Sequence, residues 1–257
     1  MSLSVEQLQF AYRNCFQVLR GVSFTAESGE FLSVLGPNGC GKSTLFRCIL
    51  GILPGYTGEV LVDGDDIRTM TTRERAQRIA YIPQTHRPTF GYTVLDTAMM
   101  GINRQLSPLA NPGKEQVQQA WEALCHVGVE HLAERNFTHL SGGEQQLVLV
   151  ARAIAQQADI LIMDEPTSAL DYGNQIRVLE RVRQLAQEGY TVLLSTHNPQ
   201  QAMAFSDRIL AISNGSVIAD GVPDRMLTPE LMQKLYRIDV DFTETAYGRV
   251  IMPRTGA

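Results

Sequence analysis

The segment that most constrains this chain is a glycine-rich loop at residues 36–44, with the sequence GPNGCGKST. It follows the apolar run 31–35 and precedes a helical pattern at 45–50. The loop therefore joins a buried strand to the start of a helix. Its glycines let several backbone N–H groups point inward, where the helix dipole adds partial positive charge. The segment predicts a polyphosphate-binding loop.

Three residues of this loop have separate expected roles. Lys42 is expected to reach the outer phosphates, and the Ser43 hydroxyl is placed to bind a Mg²⁺ ion that bridges them. A surface lysine in a glycine-rich turn is the alternative, and the strand–loop–helix context argues against it. Positive charge in such a loop can lower the pKa of a thiol at Cys40. We favour the simpler interpretation that Cys40 occupies a variable position.

Composition excludes some classes of function. The 257 residues are 44% hydrophobic and 19% charged, enough for a sizeable core, and the net charge of −5 argues against a nucleic acid partner. No apolar run approaches the roughly 20 residues that span a bilayer, and the N-terminus does not resemble a signal peptide. We therefore expect a cytoplasmic protein. The four cysteines lack C-x-x-C spacing, which predicts reduced thiols.

Two predicted strands, at 3–10 and 18–26, precede the phosphate-binding loop. Such an antiparallel pair can present an aromatic face to a nucleotide base, and Tyr12 is the candidate. A tyrosine packed in the core is equally consistent with the pattern. Farther along, a predicted strand at 78–84 places Gln84 at its end. An amide there can bind Mg²⁺ or orient a water molecule.

The pattern is helical from about residue 93 to residue 156, which predicts an inserted group of helices. Within it, the segment LSGGE at 140–144 precedes an apolar-periodic run. Ser141 and Glu144 match a capping box, and Gly142 and Gly143 carry no side chains that cover the helix N-terminus. For this segment in isolation, helix capping is the simplest interpretation. The neighbouring motifs favour instead a second helix N-terminus that binds an anion.

Acidic and imidazole side chains follow two predicted buried strands. The apolar run 158–163 ends in Asp164 and Glu165, and the run 191–195 leads to His197. Parallel strands place their C-terminal residues at one edge of a sheet, where α/β proteins bind ligands. Asp164 is expected to hold Mg²⁺ directly or through water, Glu165 to act as general base, and His197 to donate to a γ-phosphate. Two acids in a surface turn are the alternative.

Taken in order, these motifs resemble the ATP-binding cassette family over roughly residues 3–222. The resemblance implies an α/β P-loop NTPase with a RecA-like core, an antiparallel β subdomain and an inserted α-helical subdomain. We expect an ATPase domain at 1–222, with its helical subdomain at about 93–156, and a short C-terminal helix and tail at 223–257.

The resemblance also implies a role for each matching residue. Glu165, His197 and Gln84 are the expected catalytic residues, and Asp171 is expected to communicate across a dimer. Mg²⁺ ligands are Ser43, Gln84 and Asp164. The expected ATP-binding residues are Tyr12, Gly36, Asn38, Gly39, Cys40, Gly41, Lys42, Ser43, Thr44, Ser141, Gly142, Gly143 and Asp171. The family usually has glutamine where this chain has Glu144, and the added charge is expected to weaken closure slightly.

The resemblance further implies a head-to-tail dimer of two copies that encloses two ATP molecules. Such subunits work with transmembrane permease subunits, and indirectly with a substrate-binding protein, at the cytoplasmic face of the membrane. The stretch 83–101 and the tail 249–253 resemble importer ATPases for iron–siderophore, haem, cobalamin or molybdate. Competing classes are exporter subunits, regulatory cassettes, cassette ATPases acting on nucleic acid or ribosomes, and P-loop kinases or GTPases.

Overall fold

The computed structural model describes residues 1–13, 16–84, 91–102, 113–246 and 248–254. Three parts of the sequence predictions lie outside these residues: 85–90 in the importer-like stretch, 103–112 in the helical pattern, and Cys15, one of the four cysteines. Within the described part of the chain, Cys40, Cys48 and Cys125 are free thiols. No helix in that part is both long and apolar enough to cross a bilayer.

Strands and helices alternate along most of the described chain. The strands are β1 (Leu3–Ala11), β2 (Gln17–Ala26), β3 (Phe31–Leu35), β4 (Thr57–Val62), β5 (Asp65–Asp66), β6 (Ile79–Ile82), β7 (Ile160–Asp164), β8 (Thr191–Thr196), β9 (Arg208–Ser213), β10 (Ser216–Gly221), β11 (Val240–Thr245) and β12 (Gly248–Pro253). The helices are α1 (Lys42–Ile49), α2 (Thr72–Arg78), α3 (Val94–Met99), α4 (Lys114–Val127), α5 (Gly142–Ala155), α6 (Tyr172–Gln187), α7 (Pro199–Phe205), α8 (Pro223–Met226) and α9 (Pro229–Tyr236).

The central sheet has the strand order β10-β9-β3-β8-β7-β6, and all its neighbouring pairs except β10–β9 are parallel. Every residue of β3, β7 and β8 is buried, as expected for parallel strands covered on both faces. The C-terminal ends of β3, β6, β7 and β8 therefore meet at one edge. The phosphate-binding loop, Gln84, Glu165 and His197 follow these four strands.

A second, antiparallel sheet has the order β2-β1-β4-β5 and contains both predicted N-terminal strands. Helix α1 joins the two sheets, because its Leu45, Phe46 and Ile49 share one apolar cluster with residues of both. The phosphate-binding loop thus leads into a helix that is buried on two sides. The predicted combination of an α/β core with an antiparallel sheet is confirmed.

Helices α3, α4 and α5 form another apolar cluster with the opposite face of the central sheet. Their caps follow the sequence signals: Thr93 and Asp96 form a capping box, and Gly128 ends α4 in the left-handed conformation. The described residues of the predicted helical stretch 93–156 consist mainly of helices, while the division into domains stays a prediction.

The described chain after β8 contains one expected helix, α9, and two unexpected helices, α7 and α8. Helix α9, which begins after Thr228, is the expected C-terminal helix, and the hairpin β11–β12 lies in the expected tail. Helices α7 and α8 were not predicted, since each is short and begins at a proline in a segment without helical periodicity. Residues of α7, α9, β9 and β11 share a third apolar cluster.

Gly58 and Gly55 offer a matched test of close packing in the antiparallel sheet. Both have positive φ, at 89° and 91°. A Cβ on Gly58 would lie 2.4 Å from the carbonyl oxygen of Glu6, whereas one on Gly55 would meet nothing within 4 Å. We expect Gly55→Ala to cost about 1 kcal/mol of unfolding free energy, for backbone conformation alone. Gly58→Ala should cost about 3 kcal/mol. Urea denaturation measures both, and equal losses would contradict the predicted clash.

Candidate ATP-binding and catalytic site

The phosphate-binding loop wraps around the amine of Lys42. Gly39 and Gly41 have φ values of 81° and 115°, in the left-handed region that glycine adopts most readily. Lys42 is 4% exposed, and its Nζ donates to the carbonyl oxygens of Gly36 at 2.7 Å and Pro37 at 3.2 Å. The lysine therefore holds the loop in its curled conformation and places a positive charge at its centre.

The turn of the β9–β10 hairpin supports the loop from behind. The Gly215 N–H donates to the carbonyl oxygen of Cys40 at 3.1 Å, and its own carbonyl accepts from the Arg20 N–H at 2.8 Å. Cys40 is 7% exposed, and burial raises the pKa of its thiol. A thiol pKa lowered by the loop is therefore wrong for Cys40, because desolvation outweighs the attraction of the nearby Lys42.

A cavity of about 280 Å³ opens in front of the loop. Most of its lining residues are predicted site residues, and only Val18, on the edge of β2, was not expected. The lining consists of Val18, Asn38, Gly39, Gly41, Lys42, Ser43, Thr44, Gln84 and Glu165. The size, the backbone N–H groups and the buried lysine suit the phosphates of a nucleotide.

The Glu165 carboxylate is the meeting point of the predicted catalytic residues. Its Oε1 lies 3.1 Å from Nζ of Lys42, and its Oε2 accepts from Nε2 of Gln84 at 3.3 Å. Nδ1 of His197 lies 3.2 Å from the same Oε2. Residues from four segments, at the ends of four neighbouring strands, thus meet within hydrogen-bonding distance.

Ser195 holds the two acidic residues in place, and the sequence analysis did not identify it. Its hydroxyl donates to Oδ1 of Asp164 at 2.6 Å and accepts from the Glu165 N–H at 2.9 Å. Glu165 needs this support because its φ of 44° lies in the left-handed region, which is unfavourable for a side chain with a Cβ. A small polar residue at the end of a buried strand was the only available signal.

Tyr12 lies at the surface and not in the core. Its side chain is 43% exposed, its ring packs edge-on against Phe10, and its hydroxyl is 3.4 Å from the Thr44 hydroxyl. The alternative of a packed core tyrosine is therefore wrong. The exposed ring next to Thr44 leaves base stacking as the proposal.

Four predicted site residues do not line this cavity: Ser141, Gly142, Gly143 and Asp171. A Cβ on Gly143 would lie 2.5 Å from the Asn174 side chain, and Asn174 donates to Asp171 from its N–H at 2.9 Å and its amide at 2.7 Å. The N-terminus of α5 and the start of α6 are therefore packed together.

Glu144 takes part in the cap of α5. Its Oε2 accepts from the Ser141 N–H at 2.8 Å and from the Ser141 hydroxyl at 2.7 Å. The Ser141 hydrogen bonds lower the pKa of Glu144, so this carboxylate is charged at neutral pH. The unusual residue in the segment thus adds a negative charge beside the exposed helix N-terminus.

The residues around the cavity fit a magnesium ion as well as a nucleotide. Ser43 and Gln84 line the cavity and offer a hydroxyl and an amide oxygen. Asp164 is 3% exposed, does not line the cavity, and is linked to Glu165 through Ser195. Oxygen donors of this kind are those that Mg²⁺ prefers.

Known proteins are similar to this chain. The sequence model of the ABC transporter family matches residues 19–168. An uncharacterized ABC transporter ATP-binding protein of Haemophilus influenzae is 41% identical, over 92% of this chain and 90% of that protein. The molybdate import ATP-binding protein MolC of the same organism is 37% identical, over 96% and 92%.

A solved structure gives the same result for the fold. It shows an inward-facing conformation of an ABC transporter assigned to the metal-chelate type. Its matching chain is 35% identical with a TM-score of 0.86, covering 99% of this chain and 98% of that one. The family match, the relatives and the geometry of the cavity agree: this chain belongs to the ABC transporter family and carries its ATPase domain.

Proposed function

We propose that this chain is the ATP-hydrolysing subunit of an importer for molybdate or for a metal chelate such as an iron–siderophore, haem or cobalamin. The convergence of Lys42, Gln84 and His197 on Glu165 supports the catalytic part of the proposal. Similarity to MolC and to a metal-chelate type transporter supports the choice of cargo. The cargo itself does not contact an ATPase subunit, so it is inferred by similarity alone.

Each residue around the cavity has a defined task in hydrolysis. The ATP phosphates take the place of Glu165 as the partner of Lys42, since both are anionic groups that bind its ammonium. The freed Glu165 carboxylate accepts a proton from the attacking water, and Gln84 orients that water. His197 donates a hydrogen bond to the γ-phosphate. Ser43 and Gln84, with Asp164 directly or through water, would hold a Mg²⁺ ion, which would supply positive charge to the phosphates.

We further propose that two copies form a head-to-tail dimer. Each copy has a phosphate-binding cavity and, outside that cavity, an exposed helix N-terminus at Ser141. Two such unlike faces are self-complementary under a twofold axis, which would place Ser141 and Gly143 against the ATP of the partner copy. Asp171 is packed beside them and would lie at the same interface.

We propose that the permease binds at a groove beside β6, the strand that precedes Gln84. The groove is mainly apolar, and Ile52 in its lining is 56% exposed. The groove is lined by Leu50, Gly51, Ile52, Thr72, Arg75, Ala76, Ile79 and Tyr81. An amphipathic helix from a membrane protein is the kind of partner that fits such a groove. The proposed location is the cytoplasmic face of the membrane.

Replacing the general base tests the catalytic proposal. Glu165→Gln keeps the shape of the side chain but cannot accept a proton, so ATP turnover should fall by about 10²- to 10⁴-fold. ATP binding should persist or strengthen, because a negative charge near the phosphates is removed. Steady-state phosphate release and equilibrium binding of ATP measure the two effects. Glu59→Gln, in the antiparallel sheet, is the control; undiminished turnover in Glu165→Gln would remove Glu165 from its role.

Replacing Glu144 tests the dimer. Glu144→Gln keeps a residue that completes a capping box and removes the charge beside Ser141. In a Glu165→Gln background, ATP should then produce dimers at a protein concentration lower by about 3- to 10-fold. Sedimentation velocity measures this. Glu230→Gln removes a similar charge from the first turn of α9 and should change nothing. Equal behaviour of both variants would contradict the proposed interface.

A third variant tests the membrane partner. Tagged wild-type chain, purified from detergent-solubilised membranes of its own cells, should carry an integral membrane protein with it. Ile52→Glu should lose that protein and keep ATP binding, because a charge in an apolar groove opposes docking. Ile218→Glu, on β10 and 39% exposed, is the control. Recovery of only ribosomes or DNA with the wild-type chain would favour a cassette ATPase that acts on nucleic acid.

A further inference from the structure

Gln200, in the first turn of α7, bonds the C-terminal hairpin through both ends of its side-chain amide. Its Nε2 donates to the carbonyl oxygen of Arg249 at 3.2 Å, and its Oε1 accepts from the Ile251 N–H at 2.9 Å. These two groups of β12 point away from its partner β11, on the outer edge of the hairpin. The Gln200 amide therefore occupies the place of a peptide group in a neighbouring strand.

The hairpin is itself fixed to the body of the protein. Val240 is 1% exposed and shares an apolar cluster with Leu231 and Leu235 of α9. Arg249 donates to the carbonyl oxygens of Asp224 at 2.8 Å and Leu227 at 3.3 Å. Its guanidinium also lies 4.1 Å from the centre of the Phe242 ring. Strand β12 is therefore a firm support for α7.

From the same helix turn, hydrogen bonds lead to the catalytic histidine. Oδ1 of Asn198 accepts from the N–H groups of Gln200 at 3.0 Å and Gln201 at 3.2 Å. The Asn198 N–H donates to the Thr196 hydroxyl at 3.0 Å. His197 lies between Thr196 and Asn198, so both neighbours of the histidine are held. A shift of the first turn of α7 would move Asn198, and His197 with it.

Gln201 holds the other side of this helix turn. It is 9% exposed; its Oε1 accepts from the Thr167 hydroxyl at 3.2 Å, and its Nε2 donates to Oε1 of Gln175 at 2.8 Å. The two adjacent glutamines thus fasten α7 in two directions. Gln201 connects it to the segment after Glu165, and Gln200 connects it to the C-terminal hairpin.

We propose that Gln200 is a positioning residue for ATP hydrolysis, through which the C-terminal hairpin sets the place of His197 relative to Glu165. The inference depends on the proposed ATPase activity. Because Nδ1 of His197 is already 3.2 Å from Oε2 of Glu165, a shift of about 1 Å in the turn is enough to disturb the site. The hairpin lies outside residues 19–168, which match the family model, so this link uses a part of the chain beyond that match.

Gln200→Met tests the proposal, because methionine has a similar length and cannot form the two hydrogen bonds. We expect kcat for ATP to fall by about 3- to 10-fold, with the KM for ATP unchanged. Hydrogen exchange at the Ile251 amide should become faster, which shows that the link was removed. Asp241→Asn is the control: it breaks the ion pair of Asp241 with Arg254 within the same hairpin and should leave kcat unchanged.

A double-mutant cycle separates positioning from general destabilisation. In a His197→Ala background, Gln200→Met should lower the residual turnover by less than about 1.5-fold, because the group that it positions is absent. Two results would overturn the proposal. One is that Gln200→Met lowers turnover in the His197→Ala background by the same factor, about 3- to 10-fold, as in the wild-type background. The other is a normal kcat in Gln200→Met together with faster exchange of the Ile251 amide. A wild-type chain that does not hydrolyse ATP would instead overturn the proposed function.

Discussion

The contact between Lys42 and Glu165 is the interaction on which the site depends. The two charges are 3.1 Å apart and are only 4% and 10% exposed, so neither is well hydrated. A buried charge is costly unless it is paired and hydrogen-bonded, and each residue supplies the partner that the other needs. This pairing explains how the chain keeps a lysine inside the phosphate-binding loop and a carboxylate beside it. In the proposed function, a nucleotide would compete with Glu165 for Lys42, so binding would release the proposed general base.

The parallel sheet brings these two residues together. Lys42 follows β3 and Glu165 follows β7, and β8 lies between these strands and carries His197 at its end. Ser195, the fifth residue of β8, then bridges Asp164 and Glu165. Because neighbouring parallel strands end at the same edge, residues that are far apart in sequence become neighbours without any long loop. The site is therefore built mainly on strand ends.

The remaining elements act on this edge from two sides. The face with Ser141 and Asp171 does not reach the cavity of its own chain, which gives a physical reason for a second copy in the proposed mechanism. The C-terminal hairpin is connected to this edge of the sheet by the hydrogen bonds of Gln200, in the first turn of α7. In the proposed mechanism, the face with Ser141 and Asp171 would position groups around the triphosphate of a partner copy. The C-terminal hairpin would position groups around the triphosphate of its own chain.

The sequence by itself determined the strand–loop–helix unit at Lys42, the helix caps at Thr93 and Ser141, and the acids that end β7. These features depend on local backbone conformation and on short-range periodicity, which neighbouring residues specify. Only the tertiary structure showed the Ser195 bridge, the exposed position of Tyr12, the raised pKa of the Cys40 thiol and the hydrogen bonds between α7 and the C-terminal hairpin. Each of these depends on burial, or on contacts between residues distant in the chain, and a local pattern carries no record of either.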